Sequence, residues 1–386
     1  KAEYTKNHRV HTVYIVFYFE SLKQMIMEII KKYEGKGEKK MAEILEKVVL
    51  PKFDGEKYLS EGDKIYAQRA EVEAVADKVW NDGFKNIILL GIGGTEFELG
   101  PIAYQVKKYS DIDIELVNAA DANTVHPKKL TKDTLVITAS ASGDTVEIVE
   151  AATWMVEAGA NIVAFTKKEG KLGQIAQTVI EANVTTGMCE YSYVLFDLLA
   201  FRILYNKGDF PKYNEFADGL KGIFKNLYDI RVQFDARAEE IAKKYYNAPY
   251  SIFCGSGSAW GETILFAMCI LEEMQWVRTR PVTSAQFFHG TLELVEKGVP
   301  VFVVKGEDEY RAQDTRVEGF LKKIGHEDSV VIDLAEFALD GIDKEFRPII
   351  SPMIVTALLT DRLASYYETY TKHNLNYRRY YRQFEY

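Results

Sequence analysis

NIILLGIGGT, residues 86–95, is an apolar run that enters a glycine turn, Gly91-Ile92-Gly93-Gly94-Thr95. A run without polar–apolar alternation is what a strand buried on both faces looks like. The glycines that end it allow a tight reversal and let backbone N–H groups approach an anion at the start of the next helix. The same grammar returns later, where residues 250–254 enter Gly255-Ser256-Gly257-Ser258.

Outward from the first turn, a helix through Trp80 precedes the run. Beyond it the patterning predicts a helix near 100–107, strands over 112–117 and 134–138, a loop over 139–145, a helix to residue 158 and a strand over 161–165. Outward from the second turn come a long apolar helix over 264–271, strands over 299–304 and 329–332, a helix over 315–324 and a last helical segment over 350–370. Strands that alternate with helices at short spacing imply parallel sheets covered on both faces. Gly91 to Thr138 is 47 residues and Gly255 to Val304 is 49, so turn and later strand recur at nearly one separation, the mark of an internal duplication.

The expected fold is therefore α/β, with two tandem doubly wound, flavodoxin-like parallel-sheet domains. The divisions are an N-terminal extension over 1–60, a first domain over 61–206, a linker helix with the second domain over 207–372, and a tail over 373–386. The extension is expected to be helical, since 21–33 carries apolar residues at one-face spacing and a second helix is expected around 41–49, stopped by Pro51. The aromatic run 13–19 precedes them.

A chain of 386 residues with 47% hydrophobic and 13% aromatic residues can bury a large core across two domains. No apolar run approaches the ~20 residues that span a bilayer. The formal charge of −9 argues against nucleic acid or an anionic membrane as a partner, so an anionic substrate would need a local site. Cys189, Cys254 and Cys269 are odd in number and far apart, which fits neither a disulfide framework nor a cysteine zinc site. A cytoplasmic protein without metal or cofactor is expected.

The two turns do not read as dinucleotide fingerprints, because Glu96 and Trp260 stand where the third glycine would be. Neither is followed by the Lys-Ser/Thr of a P-loop. The loop Ser140-Ala141-Ser142-Gly143-Asp144-Thr145 is more informative, since three hydroxyls in six residues lie between a strand and a helix start. One of them alone would be an ordinary helix cap; three can converge with backbone amides on one phosphate. The counterpart in the second half, Gly306-Glu307-Asp308-Glu309, would repel phosphate.

The apolar stretch 264–271 delivers Glu272 and Glu273, and His289 follows sixteen residues after Glu273 in Phe287-Phe288-His289-Gly290. A glutamate pair at a helix end is ordinarily solvated surface. Against an apolar wall, however, a carboxylate is poorly solvated and takes up a proton more readily, as a general base must.

These residues resemble the sugar isomerase (SIS) domain family of phosphosugar enzymes, and within it the fructosamine 6-phosphate deglycases. The resemblance rests on the paired turns, the Ser-x-Ser-Gly-x-Thr loop, Glu273-Met-Gln-Trp276, Gln286-Phe-Phe-His-Gly290, Tyr377-Arg-Arg-Tyr380 and the Glu385-Tyr386 end, and it covers roughly residues 70–386. It implies that Gly93, Gly94, Thr95, Ser140, Ser142 and Thr145 hold the sugar phosphate. It implies Glu273 as general base and His289 as acid–base group, the latter reaching the site of a neighbouring subunit in a dimer or larger homo-oligomer. It also implies that the tail covers the site, with Arg378, Arg379 and Tyr386 as contacts. The substrate would be a phosphorylated sugar–amine adduct such as fructoselysine or glucoselysine 6-phosphate.

The chain departs from the pattern at Ala285-Gln286, where Gly-Glu is usual, at Thr291, where proline is usual, and at Glu96, where a small residue is common. Two other readings stand beside this one. A ketose–aldose isomerase or a glucosamine 6-phosphate synthase isomerase half shares the Glu and His spacing, but the synthases carry a lysine where Ile270 stands. A sugar-phosphate sensor without catalysis would usually add a DNA-binding module, and residues 1–60 show no clear helix-turn-helix.

Overall fold

The computed structural model describes residues 50–185 and 187–384. The expected helices around 21–33 and 41–49, the run 13–19, and Glu385-Tyr386 lie outside the described residues. Five strands, β1 (Asn86–Gly91), β2 (Asp113–Asn118), β3 (Thr134–Ser140), β4 (Asn161–Thr166) and β5 (Thr178–Ile180), form an all-parallel sheet in the order β2-β1-β3-β4-β5. Four more, β6 (Ser251–Gly255), β7 (Thr279–Thr283), β8 (Val301–Lys305) and β9 (Ser329–Asp333), form a second parallel sheet in the order β7-β6-β8-β9. The second order is the first without its last strand, which is the duplication read from the spacing.

Alternate strand residues explain how each sheet is covered. Ile88, Leu90 and Val136 point into a cluster with Ile148, Ala151 and Met155 of the Val146–Glu157 helix. Ile252, Val301 and Val303 do the same with Val317 and Leu321 of the Arg311–Lys323 helix. The opposite faces, Ile87 and Leu89 in one sheet and Phe253, Phe302 and Val304 in the other, belong to one shared core filled by the Cys189–Lys207, Ile223–Tyr245 and Arg347–Val355 helices. Residues from Leu50 onward thus make one compact unit. No helix among the described residues is long and apolar enough to cross a membrane.

Two expectations are corrected. Residues 264–271 are not one α-helix: an α-helical start, Trp260–Leu265, passes into a π-helical segment, Phe266–Met274. The division drawn at residue 60 falls inside a helix, Gly55–Ala67, which Asp54 caps by accepting from the Lys57 N–H at 3.0 Å. The edge strands β5 and β7 were not read at all. β5 has three residues, and β7 carries Arg280 and Pro281, which suit only a sheet edge.

The halves meet where the Gly94–Tyr109 helix crosses the start of the Trp260 helix. A Cβ on Gly261 would lie 2.3 Å from the Phe97 carbonyl oxygen and 2.7 Å from the Pro101 ring. Beside it, Gln105 donates to the Ser258 hydroxyl and, at 3.1 Å, to the Pro348 carbonyl. Gly261→Ala should therefore destabilise the chain by about 1–3 kcal/mol through overpacking, less whatever helix propensity returns. Urea denaturation measures this, and an unchanged midpoint would show that the seam can relax.

Candidate active site

β1 and β3 are neighbours, with Leu90 opposite Thr138, so the turn 91–95 and the loop 140–145 lie side by side at the carboxyl edge of the first sheet. This is where the strand order reverses, the usual crevice for a ligand in such sheets. Gly93 has φ +56, a conformation that favours glycine. The Thr95 hydroxyl closes the turn by donating to the Ile92 carbonyl at 3.0 Å. In the loop, the Ser140 and Thr145 hydroxyls are 3.0 Å apart, the Gly143 N–H donates to Ser140 Oγ at 3.2 Å, and the Asp144 N–H donates to Ser142 Oγ at 3.2 Å. Gly143, at φ +75, packs so closely on Gly170 that a Cβ would sit 2.9 Å from its Cα.

The loop is thus held in shape before any ligand arrives. Thr145 precedes the Val146–Glu157 helix without a side-chain cap bond, which leaves first-turn amides for an anion.

The π segment carries the other half of the constellation. Its widened ladder ends with the Gln275 N–H donating to Ile270 O at 3.0 Å, and Trp276 then takes φ +57, rare for a bulky residue. Glu273 is partly exposed, and its neighbour is a cation: Arg378 Nε donates to Glu273 Oε1 at 3.0 Å. The apolar wall expected around this carboxylate is therefore replaced, on one side, by a guanidinium from the tail. Arg378 is itself fixed by the Leu375 and Tyr377 carbonyls, at 2.6 and 3.0 Å. Arg379 stacks over the Trp276 ring at 4.4 Å. An open cavity of about 660 Å³ lies here, lined by Glu272, Glu273, Trp276, Arg278, Arg378 and Arg379 with Tyr380 and Tyr381.

Gly94 joins the two parts. A Cβ there would lie 3.8 Å from Cys269 Sγ and 3.9 Å from Leu265, so the first half's glycine turn lies close to the helix that runs on to Glu273. His289 is placed otherwise. It is exposed, follows the Ser284–Phe287 helix, and its N–H donates to the Gln286 carbonyl at 2.9 Å. Phe287 and Phe288 anchor the segment against Phe320. Within one chain no described hydrogen bond or cavity wall brings His289 to Glu273. Tyr386 lies outside the described residues.

Sequence reasoning missed three features. Arg278 was not singled out, although Arg278-Thr279-Arg280 begins two residues after Trp276. Asp308 was read as repelling phosphate; it also fills the second turn, accepting from the Ser258 and Tyr310 N–H groups at 2.8 and 3.0 Å. Glu262, a charge inside an apolar stretch, is fully buried and accepts from Tyr193 at 2.9 Å and Thr356 at 2.8 Å. With Glu98 and Cys189 it makes a group whose donor atoms lie within 4.8 Å of one another, a spacing that could hold a metal ion. Without an ion, burial raises the proton affinity of all three: it pushes Glu98 up to about 7 and Glu262 up to about 8, and raises the Cys189 thiol.

No protein-family profile matches the chain. The fructosamine deglycase FrlB of Bacillus subtilis (strain 168) is 27% identical over 328 residues, which is 82% of this chain and 97% of that protein. The fructoselysine 6-phosphate deglycase of Escherichia coli (strain K12) is 22% identical over 311 residues, 80% of this chain and 89% of that one. A crystal structure from Bacillus subtilis, described as a phosphosugar isomerase, superposes with a TM-score of 0.77 at 26% identity, over 83% of this chain and 99% of that one. The chain is similar in sequence to the fructosamine deglycases and shares the fold of the solved phosphosugar isomerases.

The buried acid sets a pH dependence of stability. Glu262 keeps its proton up to about 8 when folded and only to near 4.5 when unfolded, so the folded state binds more protons across that window and stability falls as pH rises through it. Glu262→Gln carries no such charge, and Thr356 can accept from the new amide by turning its proton to the Pro352 carbonyl, 3.1 Å away. Thermal unfolding at pH 5, 7 and 9 should show a flatter profile for the variant and a gain on the order of a few kcal/mol at pH 9. Parallel profiles would show that Glu262 ionises without cost.

Proposed function

We propose that this chain processes sugar phosphates, and more specifically that it hydrolyses a 6-phosphorylated sugar–amine adduct to glucose 6-phosphate and a free amine. The observation that carries the reading is the nearness of Gly94 to Cys269 and Leu265, where an added Cβ would come within 3.8 and 3.9 Å, which sets the first half's anion-ready turn and loop beside the segment bearing Glu273. The sequence likeness to fructosamine and fructoselysine 6-phosphate deglycases supports the same substrate class.

In this reading the phosphate sits on Ser140, Ser142, Thr145 and the turn amides of Gly93, Gly94 and Thr95, remote from the reacting carbon. Binding energy gained there positions C1. His289, supplied by a second copy of the chain, helps to open the ring as an acid–base group. Glu273 takes a proton from C1, where the amine nitrogen is attached, giving an enaminol. Reprotonation at C2 makes a C1 imine, and water adds to it and releases the amine. Arg378 fixes the orientation of the Glu273 carboxylate, and the tail forms the cavity's outer wall. The adduct's own nitrogen provides the imine, so the sequence of steps balances with water as the sole co-reactant.

The direct test is to incubate the protein with fructoselysine 6-phosphate and assay glucose 6-phosphate; absence of product, with fructose 6-phosphate isomerised instead, would favour an isomerase. Glu273→Gln should lose about 10²- to 10⁴-fold in kcat while still binding substrate. Ser142→Ala should raise KM several-fold with kcat little changed, and equal KM values would remove the loop from the phosphate site. A mixture of Glu273→Gln and His289→Ala chains should recover activity that neither has alone, since one of the two sites in a mixed dimer is intact. No recovery after confirmed subunit exchange would place both groups in one chain.

A further inference from the structure

The second sheet has its own crevice, at the carboxyl edge between β6 and β8, where its strand order reverses. The first half uses the equivalent place for a loop suited to phosphate, whereas here the anion's seat is taken from within. Asp308 accepts the Ser258 and Tyr310 amides, and Gly257, at φ +53, lies so close that a Cβ would sit 2.2 Å from Asp308 Oδ2. A phosphate is thereby excluded by charge and by space.

A cavity of about 510 Å³ nevertheless opens beside this turn, a size that suits a small molecule. Four aromatic residues line it, Phe97, Tyr104, Trp260 and Tyr310, with Tyr104 and Tyr310 meeting edge to face at 5.3 Å between centroids. Among the described residues, Glu96 is the one charged residue in the wall, and no lysine, arginine or histidine lines it. One Glu96 oxygen accepts from the Asn118 amide at 2.6 Å and the carboxylate is partly exposed.

Aromatic faces carry negative quadrupole density, and with a carboxylate in the wall this lining suits a cation better than an anion. We infer that this cavity is a second ligand site, distinct from the Glu273 cavity, and that it binds a small organic cation of the alkylammonium class. In this reading the aromatic wall takes up the charge, Glu96 neutralises it, and Thr283 and Gln313 offer hydrogen-bonding side chains. The inference does not rest on the deglycase reading: it uses neither the hydroxyl loop nor Glu273, although Glu96 directly follows Thr95 of the turn assigned there to phosphate.

Isothermal titration of the full chain at pH 7 with choline, with tetramethylammonium and with 3,3-dimethylbutan-1-ol, the neutral isostere of choline, tests it. The expected result is saturable binding of at least one cation, at least tenfold tighter than the isostere. Glu96→Gln and Tyr310→Ala should each weaken it at least fivefold while the circular dichroism spectrum is unchanged, and Glu273→Gln should leave it unaltered. Four outcomes overturn the inference. They are no saturable binding of either cation, an isostere that binds as well as choline, loss of binding in Glu273→Gln but not in Glu96→Gln, and binding that disappears as the chain self-associates, which would show a second copy filling the cavity.

Discussion

Gly261 lies against the Phe97 carbonyl and the Pro101 ring, and that approach of one backbone to another is what lets the helix after the first turn run along the helix after the second. A side chain there would force the two apart. Because they do touch, Gln105 reaches Ser258 and Pro348, and Gly94 comes close to Cys269 and Leu265. The second of these links is the one that matters chemically, since it lays an anion-ready turn from one sheet against the segment that holds a carboxylate from the other. Neither half has both.

The duplication has been used asymmetrically. Each sheet reverses its strand order beside a glycine turn, and each turn exposes backbone amides. In the first half those amides face a loop of hydroxyls whose internal hydrogen bonds keep it formed. In the second they are consumed by Asp308. The carboxylate is held by two backbone N–H groups, so the second half needs no ligand to satisfy that turn and its crevice is left with a different electrostatic character. Glu307 is absorbed likewise by Arg347, at 2.7 Å.

The π segment is the main local irregularity near the site. Inserting wider turns into a helix costs hydrogen-bond geometry, and such segments persist where the surroundings hold them. Here they are held by the tail, through Arg378 on Glu273 and Arg379 on Trp276. The buried acid behind it, Glu262, is tolerated at that depth because burial pushes its pKa up to about 8 and it keeps its proton at neutral pH.

Strand–turn–helix order, the parallel sheets and the duplication could be read from residues 86–95 and 250–258, because strands buried on both faces lose alternation and glycine turns declare themselves locally. The hydroxyl loop at 140–145 was legible for the same reason: its chemistry lies within six consecutive residues. The short edge strands were not, since three residues, or a strand with proline in it, carry little local signal. Nor was the π segment, because an apolar run fits either helical pitch and the choice is made by packing. What surrounds Glu273, which of its neighbours come from the tail, and the closing of the second turn by Asp308 were decided only by the tertiary structure. Those contacts join residues 50 to more than 100 positions apart, and a sequence records which charges are present but not which of them meet.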